Sequence, residues 1–285
     1  MSDTVKMIPE EDGAQDAPKE MAGEMTERAE PVSKISRVKK IKKPKEIVEE
    51  VEEGAPWNTI EEAFLRRRSI RRFKKKQVPA HVIRRILEVG RFAPSQGNCQ
   101  PWKFVVVRDR EMIAEMEEFC TEMCRKITGA LDYTVHEKGT FARWRTRTFL
   151  KLFAKWRPND MHPVPFGAVK LIAEDRFKVF HSPPTLIIPL MDSRGIGHPE
   201  IDLGVVGTNI VMAAQSHGLG TCWVGLASFL NDSKEWRERL GAEDPYVIME
   251  AISVGYPLGR PMQNLVSREL HETLWIEDGK KDIVV

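Results

Sequence analysis

Arg67-Arg68-Ser69-Ile70-Arg71 is the stretch around which the rest of the sequence is organised. It follows an amphipathic helix pattern and precedes a turn-rich run by about two dozen residues. Positions 67, 69 and 71 alternate, so an extended backbone places two guanidinium groups and a hydroxyl on one side. Guanidinium groups bind phosphate oxygens in pairs. The run therefore predicts a phosphate site, although a solvated basic patch after a helix has the same composition.

The composition is that of a chain with a sizeable hydrophobic core, because 41% of its 285 residues are hydrophobic. The 44 basic and 42 acidic residues leave a net charge of +2, so a nucleic-acid or membrane partner would need a local patch. Apolar runs fall far short of the roughly 20 residues of a membrane span, and the N-terminus lacks a signal-peptide pattern. We expect a soluble, cytoplasmic protein without a membrane or nucleic-acid partner.

The four cysteines are Cys99, Cys120, Cys124 and Cys222. They form no Cys-x-x-Cys pair, and no histidine stands at zinc-finger spacing from them. The spacing therefore argues against a metal site or an iron–sulfur cluster. We expect reduced thiols.

Residues 1–55 lack hydrophobic periodicity and are predicted to form a disordered, charged tail. Lysines and an arginine cluster between Lys34 and Lys45, and an acidic block from Glu46 to Glu53 follows. The basic cluster could bind nucleic acid or acidic lipid, but the adjacent acids favour a solvated linker.

From Trp57 onward, helix and strand patterns alternate, and we predict an α+β fold with a mixed sheet flanked by helices. Helices are expected to begin near Asn58, Pro79, Glu111, Pro199 and Ser233, with Gly90 ending the second. Strands are expected at 103–107, 185–191, 221–225 and 246–254, the first of them in the centre of the sheet. Residues 131–181 form an irregular insertion that mixes aromatic and cationic residues. It is typical of amphipathic helices, although stacking on nucleic-acid bases is an alternative.

Four blocks, in this order, resemble the FMN-dependent nitroreductase family. They are Arg67 to Phe73, Ala93-Pro94-Ser95-Gln96-Gly97-Asn98-Cys99-Gln100-Pro101-Trp102, Gly218 to Gly225, and Gly255-Tyr256-Pro257 with Arg260. The resemblance covers roughly residues 57–262 and is absent from the insertion and the N-terminal tail. Four blocks in one order are more specific than any single block.

The resemblance implies a role for each matching residue. Arg67, Ser69 and Arg71, with Arg68 in the same run, would hold the FMN phosphate and ribityl chain, and Arg260 would reach the phosphate from the far end of the fold. Pro94, Ser95 and Asn98, from the second subunit, would touch the isoalloxazine, where amides such as those of Asn98 and Gln100 suit a polar ring edge. The backbone of Trp223, Val224 and Gly225 would face the flavin near its reactive nitrogen.

The implied protein is an intertwined homodimer that passes a hydride from NADH or NADPH through FMN to a nitroaromatic, quinone or activated alkene by a ping-pong mechanism. Its FMN-binding domain would span 56–262, with a lid-like insertion at 131–181 and a C-terminal extension, 263–285, packing on the partner. A flavin carries its own chemistry, which agrees with the absence of a recognisable catalytic triad. A reductive dehalogenase of the same superfamily is the nearest alternative, and a nucleic-acid-binding protein is one from another class.

Overall fold

The structure is a computed structural model that describes residues 54–131, 136–153, 163–259, 267–269 and 271–284. The predicted disordered tail, apart from residues 54 and 55, and Arg260 lie outside the described residues. The chain divides into two units, Met1–Ala55 and Pro56–Val285, and the fold below is that of the second.

Helices and strands mix along this unit, and the predicted α+β class is confirmed. The α-helices are α1 Thr59–Arg66, α2 Ala80–Arg91, α3 Arg110–Leu131, α4 Phe141–Phe153, α5 Pro163–Ala173, α6 Pro199–Ser216 and α7 Lys234–Arg239. The strands are β1 Trp102–Val107, β2 Thr185–Asp192, β3 Gly220–Val224, β4 Tyr246–Ile248, β5 Ala251–Gly255, β6 Thr273–Glu277 and β7 Lys280–Val284. Short 3-10 helices occupy Gln96–Asn98 and Gly225–Asp232.

The main sheet has the strand order β1-β2-β5-β3, and β4 continues beside β2. Its named strands all pair in antiparallel fashion. A parallel bridge between Ser69 and Thr221, outside the named strands, places the arginine-rich segment beside β3. The central position predicted for β1 is wrong, because among the described residues β1 pairs with β2 alone and lies at the edge of the sheet opposite β3. Its continuous run of β-branched residues suggested a strand covered on both faces, but most of β1 is only half-buried.

Helices cover both faces of the sheet. On one face, α3, α5, α7 and the second 3-10 helix enclose a core that includes Met116, Phe180 and Leu230. On the other face, α2 and α6 enclose a core that includes Ile86 and Ile210. The prediction of a sheet flanked by helices is confirmed.

Local sequence signals account for the ends of several helices. Asn58 Oδ1 accepts hydrogen bonds from the Ile60 and Glu61 amides at 2.9 and 3.0 Å, and the Glu61 carboxylate accepts one from the Asn58 amide at 2.7 Å. Gly90 does not end α2, which continues to Arg91. A Cβ at Gly90 would lie 2.9 Å from Ile210 Cγ1, so this glycine permits close packing of α2 on α6.

Two further regions differ from expectation or add to it. The predicted strand at 246–254 is broken at residues 249 and 250, which separate β4 from β5. The C-terminal segment contains a β-hairpin, β6–β7, that the sequence analysis did not predict.

Within the insertion, Ile172, Val179 and Phe180 are buried in the core. No helix among the described residues is long and apolar enough to cross a membrane.

Candidate functional site

The arginine-rich segment lies at the edge of the sheet beside β3. The Ile70 amide donates to the Thr221 carbonyl at 2.7 Å, and the Lys74 amide donates to the Tyr256 carbonyl at 2.8 Å. Ile70 is buried, and a Cβ at Gly220 would lie 2.7 Å from its Cβ, so only glycine fits there. The Gly218–Gly225 block and the arginine block, which are far apart in sequence, are therefore adjacent.

Burial along this segment follows the alternation of an extended chain. Ile70 faces the core, whereas Ser69 and Arg71 are exposed and Arg67 and Arg68 are half-buried. The Nε atom of Arg68 is buried and has no hydrogen-bond partner. An unsatisfied buried donor is costly, and a donor on a cation is best satisfied by an anion. The segment therefore has the charge and the free donor that a phosphate group requires.

The charges of two of these arginines influence the pKa of a thiol in the neighbouring strand, β3. Burial raises the pKa of the Cys222 thiol, and the charges of Arg71 and Arg67 oppose that rise. Such opposition requires the guanidinium groups to lie near β3. The thiol is protonated at neutral pH, so Cys222 serves as a buried, packed side chain beneath the arginine-rich segment.

A cavity of about 260 Å³ contains Arg71 and residues that the sequence analysis missed. The lining residues are Arg71, Asp175, Arg176, Phe177, Lys178, His181 and Ser182. Asp175 receives two 2.8 Å hydrogen bonds from Arg125, which offsets its charge. Cations therefore dominate the lining. No local sequence pattern indicates this cavity, which forms because the segment that enters β2 ends beside the arginine segment.

His181 is an uncharged member of this cavity. Burial, reinforced by the Arg71 charge, lowers the pKa of His181 to about 4. His181 and Ser182 both have left-handed backbones, with φ of 64° and 50°. The buried Glu117 carboxylate accepts hydrogen bonds from the Val179 and Phe180 amides at 2.5 and 2.9 Å and fixes the chain just before them. Such conformations persist where the surrounding structure determines them, often at functional sites.

The Pro94–Gln100 loop leads into β1. Gly97, Asn98 and Gln100 have φ of 59°, 55° and 50°, so three of its residues are left-handed. Ser95 Oγ accepts a hydrogen bond from the Gln100 amide at 2.9 Å, and Gln100 Nε2 donates to Asn98 Oδ1 at 3.2 Å. Pro94, Asn98 and Gln100 are exposed. The loop is thus internally ordered and presents amide groups outward.

The loop and the arginine segment lie at opposite edges of the sheet. The loop precedes β1, whereas Ser69 lies beyond β3. Four strand spacings separate these edges, which amounts to about 19 Å at the usual spacing of about 4.8 Å. Within one chain the structure does not bring these two predicted motifs together.

At the end of β3, the side chains of Trp223 and Val224 pack inside the protein, whereas the backbone of Gly225 is exposed. The Trp223 ring packs on Gly207 of α6, where a Cβ would come within 1.9 Å of the ring. Val224 is buried in the core, whereas Gly225 is exposed with open space above its Cα. Only the backbone of this stretch is free to meet a ligand, and it is most accessible at Gly225.

Comparison with known proteins places this geometry in a family. The nitroreductase family model matches residues 65–256, more than half of the chain. A protein of Archaeoglobus fulgidus named for NADH dehydrogenase and NAD(P)H nitroreductase is 28% identical, over 67% of this chain and 81% of its own. The chloronitrobenzene nitroreductase of Comamonas testosteroni is 27% identical, over 69% and 86%. The iodotyrosine deiodinase of Thermotoga neapolitana is 36% identical, but over only 19% of this chain and 30% of its own.

Solved structures support the same assignment at the level of the fold. An FMN- and NADPH-dependent nitroreductase from Sphigopyxis sp. strain HMH superposes with a TM-score of 0.51 at 22% identity, covering 75% of this chain and 95% of that one. An FMN-dependent nitroreductase from Clostridium difficile R20291 gives 0.50 at 20% identity, covering 75% and 97%. The chain therefore belongs to the nitroreductase family.

Proposed function

We propose that this enzyme is an NAD(P)H oxidoreductase that binds FMN and passes a hydride from NADH or NADPH to a small-molecule acceptor. The observation that carries the proposal is the buried, unpartnered Nε of Arg68 in a segment of four arginines beside a cation-lined cavity. This arrangement fits an anionic cofactor. When bound, FMN supplies the redox chemistry, accepting and then returning two electrons.

The residues of the chain bind and orient under this proposal. Arg67, Ser69 and Arg71 hold the phosphate and ribityl chain, because they share the outward side of an extended segment. The exposed backbone of Gly225 would lie beside the flavin ring, where a backbone N–H can stabilise negative charge. The cationic cavity around Arg71 stabilises an anionic ligand, while neutral His181 adds hydrogen-bonding capacity without charge.

Nitroaromatic compounds, quinones and activated alkenes are the proposed acceptors. The names of two matched enzymes, the chloronitrobenzene nitroreductase and the 4-nitrobenzoate reductase of Nocardioides sp., support a nitroaromatic acceptor. We propose a ping-pong order in which reductant and acceptor use the same cleft in turn. A halogenated phenol is the second candidate, favoured by the local match to iodotyrosine deiodinase.

Anaerobic spectroscopy tests this function. The purified protein should be yellow, and NADH or NADPH should bleach its flavin absorbance. Reoxidation is then followed with nitroaromatic, quinone, enone and halophenol acceptors in parallel. Rapid recovery with the first three supports the proposal, and recovery with the halophenol alone indicates the dehalogenase. A colourless protein, or a flavin that neither nicotinamide reduces, contradicts it.

We also propose that the flavin lies between two chains of a homodimer. Its two sets of ligands occupy opposite edges of one chain, so a partner that supplies the Pro94–Gln100 loop would complete the site. Exposed apolar surface supports such a partner, since no residue of α1 is buried and Trp57, Ile60 and Phe64 are largely exposed. The β6–β7 hairpin, in the extension proposed to pack on the partner, is likewise exposed, and an isolated hairpin is marginally stable.

Part of the insertion is proposed to cover the acceptor. On α4, Phe141 and Trp144 are exposed and stack with ring centroids 5.5 Å apart. Aromatic side chains of this kind suit an aromatic acceptor. Trp144→Ala should therefore raise KM for a nitroaromatic about tenfold, a cost of about 1.4 kcal/mol, and leave FMN affinity unchanged. If Trp144→Ala loses FMN affinity while its KM for the nitroaromatic is unchanged, the proposal that α4 covers the acceptor is contradicted.

A further inference from the structure

A buried carboxylate ties the Pro94–Gln100 loop to the core of the molecule. The Gln96 amide donates to both carboxylate oxygens of Asp202, at 3.2 and 3.4 Å. Asp202 is only 7% exposed, and in the part of the chain that the structure describes, Glu117 is the other carboxylate buried to this degree. Burying a charge is costly unless hydrogen bonds compensate it. The hydrogen bonds from the Gln96 amide offset part of the cost of burying the Asp202 carboxylate.

The element that carries Asp202 is a rigid anchor. Asp202 lies in the first turn of α6, where the helix dipole stabilises an anion. The following turns of α6 are buried against the sheet through Val206, Ile210 and Ala214. The hydrogen bond thus joins an exposed loop to one of the best-packed helices of the structure.

A second contact fixes the same residue of the loop. The Gln96 side chain fills the space above Gly197, so a Cβ at Gly197 would lie 1.6 Å from Gln96 Oε1. Beyond Gln96, the three left-handed residues Gly97, Asn98 and Gln100 set the outward direction of the amide side chains. Two of them are not glycine, and this conformation is uncommon for such residues unless their surroundings impose it. Asp202 and Gly197 fix Gln96, the residue that precedes these left-handed residues.

We infer that Asp202 is a positioning residue that holds the Pro94–Gln100 loop in shape for the flavin of the partner subunit. The inference rests on the proposed function and adds one consequence to it. Asp202 acts through its own chain's loop, so its loss damages the site whose phosphate is held by the other chain's arginines. In this role Asp202 acts through Gln96 and not by contact with the flavin.

Asp202→Ala tests this role, with Asp202→Asn as the conservative variant and Glu200→Ala as the matched control. Glu200 is exposed in the same turn of α6, so its removal should leave activity unchanged. Asp202→Ala should lower kcat at least tenfold with its fold retained, whereas Asp202→Asn keeps an acceptor oxygen and should recover most of that loss. If Asp202→Ala is insoluble, Gly197→Ala perturbs the same loop from the other side.

Co-expression separates this positioning role from a general structural one. Paired with an Arg71→Ala chain, Asp202→Ala should regain about a quarter of wild-type activity, because random assembly makes half the dimers mixed and one of their two sites whole. Paired with an Asn98→Ala chain, it should regain nothing, because every site then has a damaged loop.

The opposite pattern, with rescue by Asn98→Ala and none by Arg71→Ala, overturns the inference. Full activity of Asp202→Ala also overturns it. Failure of the proposed function is recognised separately, because the wild-type flavin would then not be reduced by NADH or NADPH.

Discussion

The buried Nε atom of Arg68 is the strongest single indication of an anionic ligand. This atom lacks a partner, and leaving such a donor unsatisfied costs about 1–3 kcal/mol. An anionic ligand bound at this donor would remove that cost. The neighbouring residues Ser69 and Arg71 are exposed on the outward side of the same extended segment.

Arg71→Ala should weaken FMN binding without unfolding the protein. Loss of a charge-assisted hydrogen bond costs about 1.5–3 kcal/mol, or about one to two decades in Kd. Titration of FMN into the apo-variant measures the change. Arg72→Ala is the matched control, because its exposed side chain is the next along the same extended segment. Equal affinities for both variants and the wild type would remove Arg71 from the phosphate site.

His181 should make the stability of the FMN-free protein sensitive to acid. The pKa of its imidazole is about 4 in the folded chain and 6.5 ordinarily, so between these values the unfolded chain binds more protons. The free energy of unfolding should therefore fall as the pH drops from about 6.5 to about 4. His181→Asn removes this contribution, and asparagine tolerates the left-handed backbone. Urea unfolding across this range should show a shallower fall for the variant, and identical slopes would contradict the assignment.

At the scale of elements, the contact between α6 and β3 fixes the backbone that faces the proposed flavin. The Trp223 ring occupies the space where Gly207 has no side chain. Gly207→Ala would place a methyl group 1.9 Å from that ring. Overpacking of a core usually costs about 1–3 kcal/mol, and here β3 itself would have to shift.

Urea denaturation measures the cost, with Gly129→Ala as the control. Gly129 lies in α3 with open space around it, so alanine should stabilise the helix by about 0.5–1 kcal/mol. Gly207→Ala should also shift the flavin spectrum, because Trp223 leads into Gly225. Equal stability of the two variants would show that α6 and β3 adjust freely.

Local signals predicted many of the elements and failed where tertiary pairing decides. The capping box at Asn58 and the proline at Pro199 gave helix starts that the structure confirms. The edge position of β1 depends on strand order, which a hydrophobic run does not encode. The hairpin did have a local signal, since Asp278 and Gly279 form its turn with φ of 48° and 75°.

In the candidate site, too, some residues carry sequence motifs and others are brought in only by tertiary contacts. The arginine segment, the Pro94–Gln100 loop and the Gly218–Gly225 block carry sequence motifs and were identified from them. Lys178 and His181 carry none, and they join the cavity because the segment entering β2 ends beside Arg71. Asp202 was missed because its role is a contact across 106 residues of sequence.

At the scale of the whole molecule, the two proposed sets of flavin ligands lie at opposite edges of one chain's sheet. A two-fold dimer brings opposite edges of two chains together and makes both sites equivalent. The exposed faces of α1 and the β6–β7 hairpin provide apolar surface for such an assembly.

The most direct test of the shared site is co-expression of an Arg71→Ala chain with an inactive Asn98→Ala chain, assayed at an FMN concentration that leaves the Arg71→Ala site empty. Heterodimers, confirmed by mass, should contain one intact site and one doubly defective site. Random assembly should then restore about a quarter of the wild-type rate of NAD(P)H-dependent acceptor reduction. Heterodimers that restore no activity would show that both motifs serve the flavin of the same chain, and would contradict the shared site.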